Sequence, residues 1–274
     1  MEPNRHASRL LACLFLALAG FISCQTTASG RKQLNFYSLS QEMRLGSQAW
    51  GEALEGAAIV ETGPDAEMVE RIGRAIAKTA RKRHPDPAKK FRWEFELLDE
   101  PDTVNAWALP GGKCAVYSGL LEVTESEDGL AVVMGHEVAH ALLRHGGERL
   151  SQGMVFQGAM MTADHTLKKS NPEDRRTIMA ALGLGATLGI LLPYSRSHES
   201  EADELGLFLS AASGFDPRAA VPLWERMEKA SGKGPPTFLS THPSEQDRIH
   251  RLAEITPRAL ELWRRATGTE DEKG

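Results

Sequence analysis

Cysteine is scarce in this chain, with three in 274 residues. Cys13 and Cys24 fall at the extreme N-terminus, so Cys114 alone remains in the body and no intramolecular disulfide framework can form. A lone interior cysteine reads as a small core hydrophobe. Cationic excess is also missing. The formal net charge of −5 and pI near 6.0 leave no electrostatic footprint for nucleic acid. No segment repeats at the periods of roughly 20–50 residues that mark solenoids. Uninterrupted apolar runs stay short of the ~20 residues that span a bilayer. The stretch Ile178 to Leu192 carries no charge, but it has only 15 residues, three of them Gly. It reads as a buried helix near an active site, with contact to a membrane or a hydrophobic substrate left open. What remains is ordinary: 41% hydrophobic and 25% charged residues, enough for one sizeable soluble domain.

The N-terminus has its own logic. Arg5 and Arg9 precede the apolar run Leu10 to Ile22, the layout of a secretory signal. Phe21-Ile22-Ser23-Cys24 then resembles a bacterial lipoprotein box, with Phe21 where Leu is usual. That resemblance implies lipidation at Cys24 and, with Gln25 rather than Asp next, an outer-membrane location. Ordinary cleavage after Thr26-Thr27-Ala28, leaving a soluble periplasmic protein, is the alternative. The expected organisation is a signal over 1–24, a tether over 25–38, one domain over 39–267 and a frayed tail over 268–274.

Within that domain, helical patterns run over about 40–54 and from Pro64 to the cluster Arg81-Lys82-Arg83-His84, which suits the cation-favouring end of a helix. Phe91, Trp93, Phe95 and Leu97 alternate with charged residues, the period of a half-buried strand. Val104 to Leu109 and Lys113 to Tyr117 read as two more strands around the turn Pro110-Gly111-Gly112. A small antiparallel sheet is therefore expected, with Asn105 to Leu109 either a core strand or an edge able to bind an extended peptide. Thr124 with Glu127 fits a capping box that opens the next helix. Further helices are expected at about 148–164, 173–191, 197–212, 217–230, 244–254 and 257–266, and Asp216-Pro217 supplies a cap followed by proline.

The chemistry concentrates in His136-Glu137-Val138-Ala139-His140. Residues four apart share a helix face, so both imidazoles can reach one zinc ion, and Glu137 can take a proton from the attacking water. The preceding Leu130 to Gly135 is apolar and small, as for a helix buried against a sheet. A catalytic zinc needs a third protein ligand. The metzincin spacing fails, because Leu143 and Gly146 stand where Gly and His are required. His145 is better placed as a structural or supporting residue. Glu199, Glu201, Asp203 and Glu204 are acidic candidates. Glu199 and Asp203 share a face, while Glu201 points roughly opposite. Glu199 is thus the expected third ligand, and Asp203 the carboxylate that fixes a ligand histidine's tautomer.

Taken with Ser195-Arg196-x-x-Glu199-x-x-Ala202-Asp203, Thr241-His242-Pro243, Arg248-Ile249 and Asn105 to Gly112, this motif resembles metallopeptidase family 48 from about residue 30 to 255. This gluzincin group includes CAAX prenyl proteases, HtpX heat-shock proteases and BepA- and LoiP-like periplasmic proteins, and the short lipoprotein type is the nearest in shape. The resemblance implies one zinc per chain at His136, His140 and Glu199, with Glu137 as general base. It places His242 near the metal, as an oxyanion donor or as an occupant of the open position that keeps the enzyme off. Tyr194 is a weaker oxyanion candidate and suits packing better. The expectation is an α+β, mainly helical gluzincin endopeptidase. Its implied substrates are unfolded or misassembled envelope proteins, and its implied membrane contact is only the anchor at Cys24. The alternatives are an envelope holding protein with a latent or structural zinc site, and a zinc hydrolase for non-peptide bonds.

Overall fold

The computed structural model describes residues 24–27, 29–167, 194–230, 237–242 and 247–269. The chain divides into a larger unit, Leu39–Gly146 with Leu192–Gly274, and a smaller one, Met1–Ser38 with Gly147–Leu191. The uncharged stretch over 178–192 lies outside the described residues, as does most of the signal.

In the smaller unit, β1 (Cys24–Thr26) pairs antiparallel with β2 (Lys32–Leu34). The segment read as a tether therefore carries a hairpin. Its loop is tied to the helix entering this unit: Arg31 forks onto both oxygens of Glu148, at 2.9 and 2.7 Å, and the Phe36 amide donates to Ser151.

The larger unit begins with α1 (Leu39–Leu54), α2 (Pro64–Arg83) and the single turn α3 (Pro85–Ala88). In α2, proline opens the helix and Arg81, Lys82 and Arg83 close it, as the macrodipole favours. Strands β3 (Glu94–Leu98), β4 (Ala106–Leu109) and β5 (Lys113–Tyr117) form a sheet of order β3-β5-β4. The all-antiparallel expectation needs correction: β4 and β5 are antiparallel, but β3 runs parallel to β5. Gly111 and Gly112, with φ of 98° and 85°, close a tight β4–β5 hairpin. The loop after β3 carries the chain past β5, so β4 takes the far edge. Phe91, Trp93, Phe95 and Leu97 are all buried, as their alternation requires, and Cys114 is buried between them and the helices.

Helix α4 (Ser118–Thr124) follows directly, and it displaces the expected capping box. Thr124 ends α4, Glu125 adopts the left-handed conformation, and Ser126 caps α5 (Glu127–Leu142) by accepting from the Gly129 amide. Every residue of α5 from Gly129 to Leu142 is buried, which explains its unbroken apolar run. Helix α6 (His145–Leu167) passes into the smaller unit. Helix α7 (Arg196–Ala212) packs along α5. Asp216 then caps a 3-10 turn (Pro217–Ala219) that leads into α8 (Ala220–Lys229).

A five-residue helix, α9 (Thr237–Thr241), precedes α10 (Arg248–Thr267). Where two helices were expected, α10 runs through Pro257. Ala253 and Pro257 are both exposed, so the carbonyl left without an amide faces water, and Thr256 donates its hydroxyl to the Leu252 carbonyl.

Helices α5 and α7 touch through glycine. A Cβ on Gly206 would sit 2.6 Å from the His136 nitrogen and 2.7 Å from the Gly135 carbonyl carbon. Backbone cannot yield as a side chain can, so Gly206→Ala should destabilise the protein by about 1–3 kcal/mol. Gly51→Ala on α1 meets nothing within 4 Å and should stabilise by about 0.5–1 kcal/mol. Denaturant titration of both variants checks this; equal effects would show that the helices do not depend on the close approach.

Candidate metal centre

Two capped, buried helices bring the principal donors together. His136 and His140 lie one turn apart on α5, and Glu199 and Asp203 one turn apart on α7, whose N-cap Ser195 accepts from the His198 amide. His242 follows α9. His136, His140, Glu199 and His242 are all buried, and one donor atom from each lies within 4.8 Å of the others.

The separations are those of a tetrahedral cage. Nε2 of His136 is 2.9 Å from Nε2 of His140, 3.4 Å from Glu199 Oε2 and 3.2 Å from His242 Nδ1. Glu199 Oε1 is 3.3 Å from His140 Nε2 and 3.1 Å from His242 Nδ1. Two ligands each about 2.0–2.1 Å from one tetrahedral ion lie roughly 3.3 Å apart, so the arrangement fits zinc in both size and donor chemistry.

The electrostatics favour a cation as well. Burial opposes charge on His136, yet Glu199 and Asp203 outweigh it and hold that imidazole near pKa 9. His140 moves the other way, well below the ordinary histidine range, through burial and the charge on His136. Glu199 stays ionised despite its burial because the histidines around it hold it well below the carboxylate range. A cage that pulls a proton in this strongly presents the field a divalent ion needs.

Around the cage, Nδ1 of His136 lies 2.9 Å from Asp203 Oδ1. Glu137 is buried, and its Oε1 makes no hydrogen bond. That oxygen lies 3.4 Å from His242 Nε2, and the backbone amide of Ala108 on β4 faces the same carboxylate. Burial raises the Glu137 pKa against the lowering effect of His242 and His136. Tyr194 is a stacking residue here, with its ring 4.0 Å from that of His140 and 5.1 Å from that of His242.

The sequence gives Arg248 no role beyond its place in a motif. It is fully buried, donating to Glu199 Oε2 at 3.0 Å and to Asp203 Oδ1 at 2.6 Å. Its guanidinium stacks 3.5 Å above the Trp224 ring. It is the main cause holding the Asp203 pKa down against burial. Nothing local in the sequence separates this arginine from the solvated ones on α10. Glu201, expected to point away, reaches the site's margin through His145, 3.0 Å from it.

The model of peptidase family M48 matches residues 65–256. The chain is similar to mitochondrial metalloendopeptidase OMA1 of Schizosaccharomyces pombe, at 34% identity over 84% of this chain and 66% of that protein. It is similar to the mitochondrial metalloendopeptidase OMA1 of Danio rerio, at 32% identity over 91% and 54%. The β-barrel assembly-enhancing protease of Escherichia coli is 25% identical over 82% of this chain and 45% of its own. The chain thus spans about two thirds or less of the length of these relatives.

Removing Arg248 leaves two buried carboxylates without their cation. Arg248→Met should lower the stability of chelator-treated protein by about 3–5 kcal/mol. Arg248→Lys should recover only part of that, because an ammonium cannot fork between two acceptors. Urea unfolding of the three proteins measures the difference; an unchanged midpoint for Arg248→Met would show that the pairings contribute nothing net.

Proposed function

Because the chain belongs to peptidase family M48, we propose that it is a zinc-dependent endopeptidase in which His136, His140 and Glu199 hold the metal and Glu137 moves the protons. The cage of donors beside an unbonded Glu137 carboxylate oxygen carries this reading. Bound zinc supplies Lewis acidity, lowering the pKa of a water and polarising the peptide carbonyl. The residues do the rest. Glu137 Oε1, free of hydrogen bonds and with its pKa raised by burial, accepts the water's proton and passes it to the leaving amine. Asp203 holds His136 through Nδ1, so that Nε2 faces the cage. Strand β4 lies at the sheet's edge, and the Ala108 amide faces Glu137. A peptide added alongside β4 would pass the base, which favours an extended substrate.

His242 fills the fourth corner of the cage through Nδ1. A catalytic zinc would need an open position for water, so cleavage would require His242 to stand aside from it.

The substrates we infer are unfolded or misassembled envelope proteins, with the chain exported to the bacterial periplasm and anchored at Cys24. The signal-like N-terminus and the β-barrel assembly-enhancing relative support that setting, since such barrels belong to the outer membrane. The mitochondrial OMA1 relatives define the other setting in which this architecture is used. Among the described residues, no helix is long and apolar enough to cross a membrane.

Two experiments follow. Purified wild type and Glu137→Gln should each carry one zinc, and only the wild type should cleave unfolded casein, with a loss of at least about 10²-fold in the variant. Zinc in both with equal cleavage would remove Glu137 from the mechanism; cleavage in neither would favour holding over cutting. His242→Ala should bind zinc more weakly and cleave casein faster than wild type. Slower cleavage would instead make His242 a donor to the developing oxyanion.

A further inference from the structure

A histidine that ligates through Nε2 carries its proton on Nδ1 and needs an acceptor there. For His136 the acceptor is Asp203, whose buried charge is met by Arg248. His140 is backed differently. The atom 2.9 Å from its Nδ1 is Nδ1 of His145. His145 is 0% exposed, so it cannot turn to water for a partner. To accept from His140 at Nδ1, its own proton must sit on Nε2, which lies 3.0 Å from Glu201 Oε2. With that tautomer His140 donates to His145, and His145 donates to Glu201.

We propose that His145 and Glu201 are positioning residues for the metal ligand His140, a relay that brings a carboxylate's influence to the ligand from one imidazole further out. The proposal rests on the reading of His140 as a zinc ligand. The packing supports it. The His198 ring stacks on His145 at 4.3 Å and 26°, and Tyr194 lies against His140 at 4.0 Å and 33°, so both imidazole planes are held.

The electrostatics give the relay a reason. A carboxylate in direct contact with Nδ1 of His140 would add another buried acid beside Glu137, Glu199 and Asp203, and an unmatched buried charge costs several kcal/mol. Arg248 already serves two. One imidazole further out, the charge sits on a Glu201 side chain that keeps 12% of its surface exposed, against 3% for Glu199 and 8% for Asp203. The neutral His145 carries the polarisation across the gap.

The test is a double-mutant cycle on zinc affinity, read by competition with a chromogenic chelator, alongside the urea midpoint of metal-free protein. His145→Phe should weaken zinc binding by about 10–100-fold. Glu201→Gln should weaken it less, since the amide oxygen still accepts from His145. In the His145→Phe background, Glu201→Gln should change zinc affinity no further, because the link that carried its effect is gone. A residue that merely packs would not show this coupling. If His145→Phe does not fold, His145→Asn replaces it. That side chain keeps an acceptor opposite His140 and cannot reach Glu201, so Glu201→Gln should again be silent. Wild-type affinity in the His145 variant, or additive losses in the double variant, would overturn the relay while leaving the zinc site standing. A wild type that binds no zinc would overturn the ligand reading itself, and the relay with it.

Discussion

Glu199 and Asp203 are carboxylates with almost no access to water, and everything around them answers that fact. An ionised carboxylate in a low-dielectric interior is stable only if it is paired. Here the pairing is divided. Arg248 reaches Oε2 of Glu199 and Oδ1 of Asp203, His136 faces the same two oxygens, and His140 and His242 face Oε1 of Glu199. Of the three helices that supply these groups, α5 and α10 each pack along α7. The core is thus organised by charge as much as by apolar area. Arg248 lies flat on Trp224, and the Phe238 ring lies 6.1 Å from that of His136, so apolar surface rather than water borders these pairs.

The two ligand helices also approach closely: Gly135 and Gly206 meet where a Cβ on either would clash with the facing backbone. The sheet is small because it has a limited task. It covers one face of α5, and its edge strand sets the Ala108 amide against Glu137. The smaller unit needs none of this. Its hairpin is fixed by the Arg31–Glu148 fork and by a buried serine that receives the Phe36 amide and donates to the Gly147 carbonyl.

What the sequence disclosed was whatever depends on spacing along one element. His136 and His140 share a face because they are four apart, and so do Glu199 and Asp203; alternation from Phe91 to Leu97 marked the buried face of the sheet. The α+β, mainly helical character was legible for the same reason. Pairings between distant elements were not. No local pattern distinguishes Arg248 from other arginines of its helix, and Glu201 was judged by its face of α7 without the histidine that meets it. Strand order depended on which edge the loop after β3 reached. The capping box failed because two signals competed two residues apart, and Ser126 had the geometry once Glu125 turned left-handed. Pro257 reads as a break in the sequence because propensity treats every proline alike, whereas its cost depends on whether the orphaned carbonyl can find water.

One small feature has mechanical meaning. The segment bearing His242 is stitched to the rest at two places: the Phe238 amide donates to the Val104 carbonyl, two residues before β4, and the Tyr194 amide donates to the Thr241 carbonyl, just ahead of α7. His242 thus hangs between the strand that borders the cleft and the helix that carries Glu199, as a pointer hangs between two pivots. The fourth donor is therefore tied through backbone hydrogen bonds both to the segment that enters the edge strand and to the segment that enters α7.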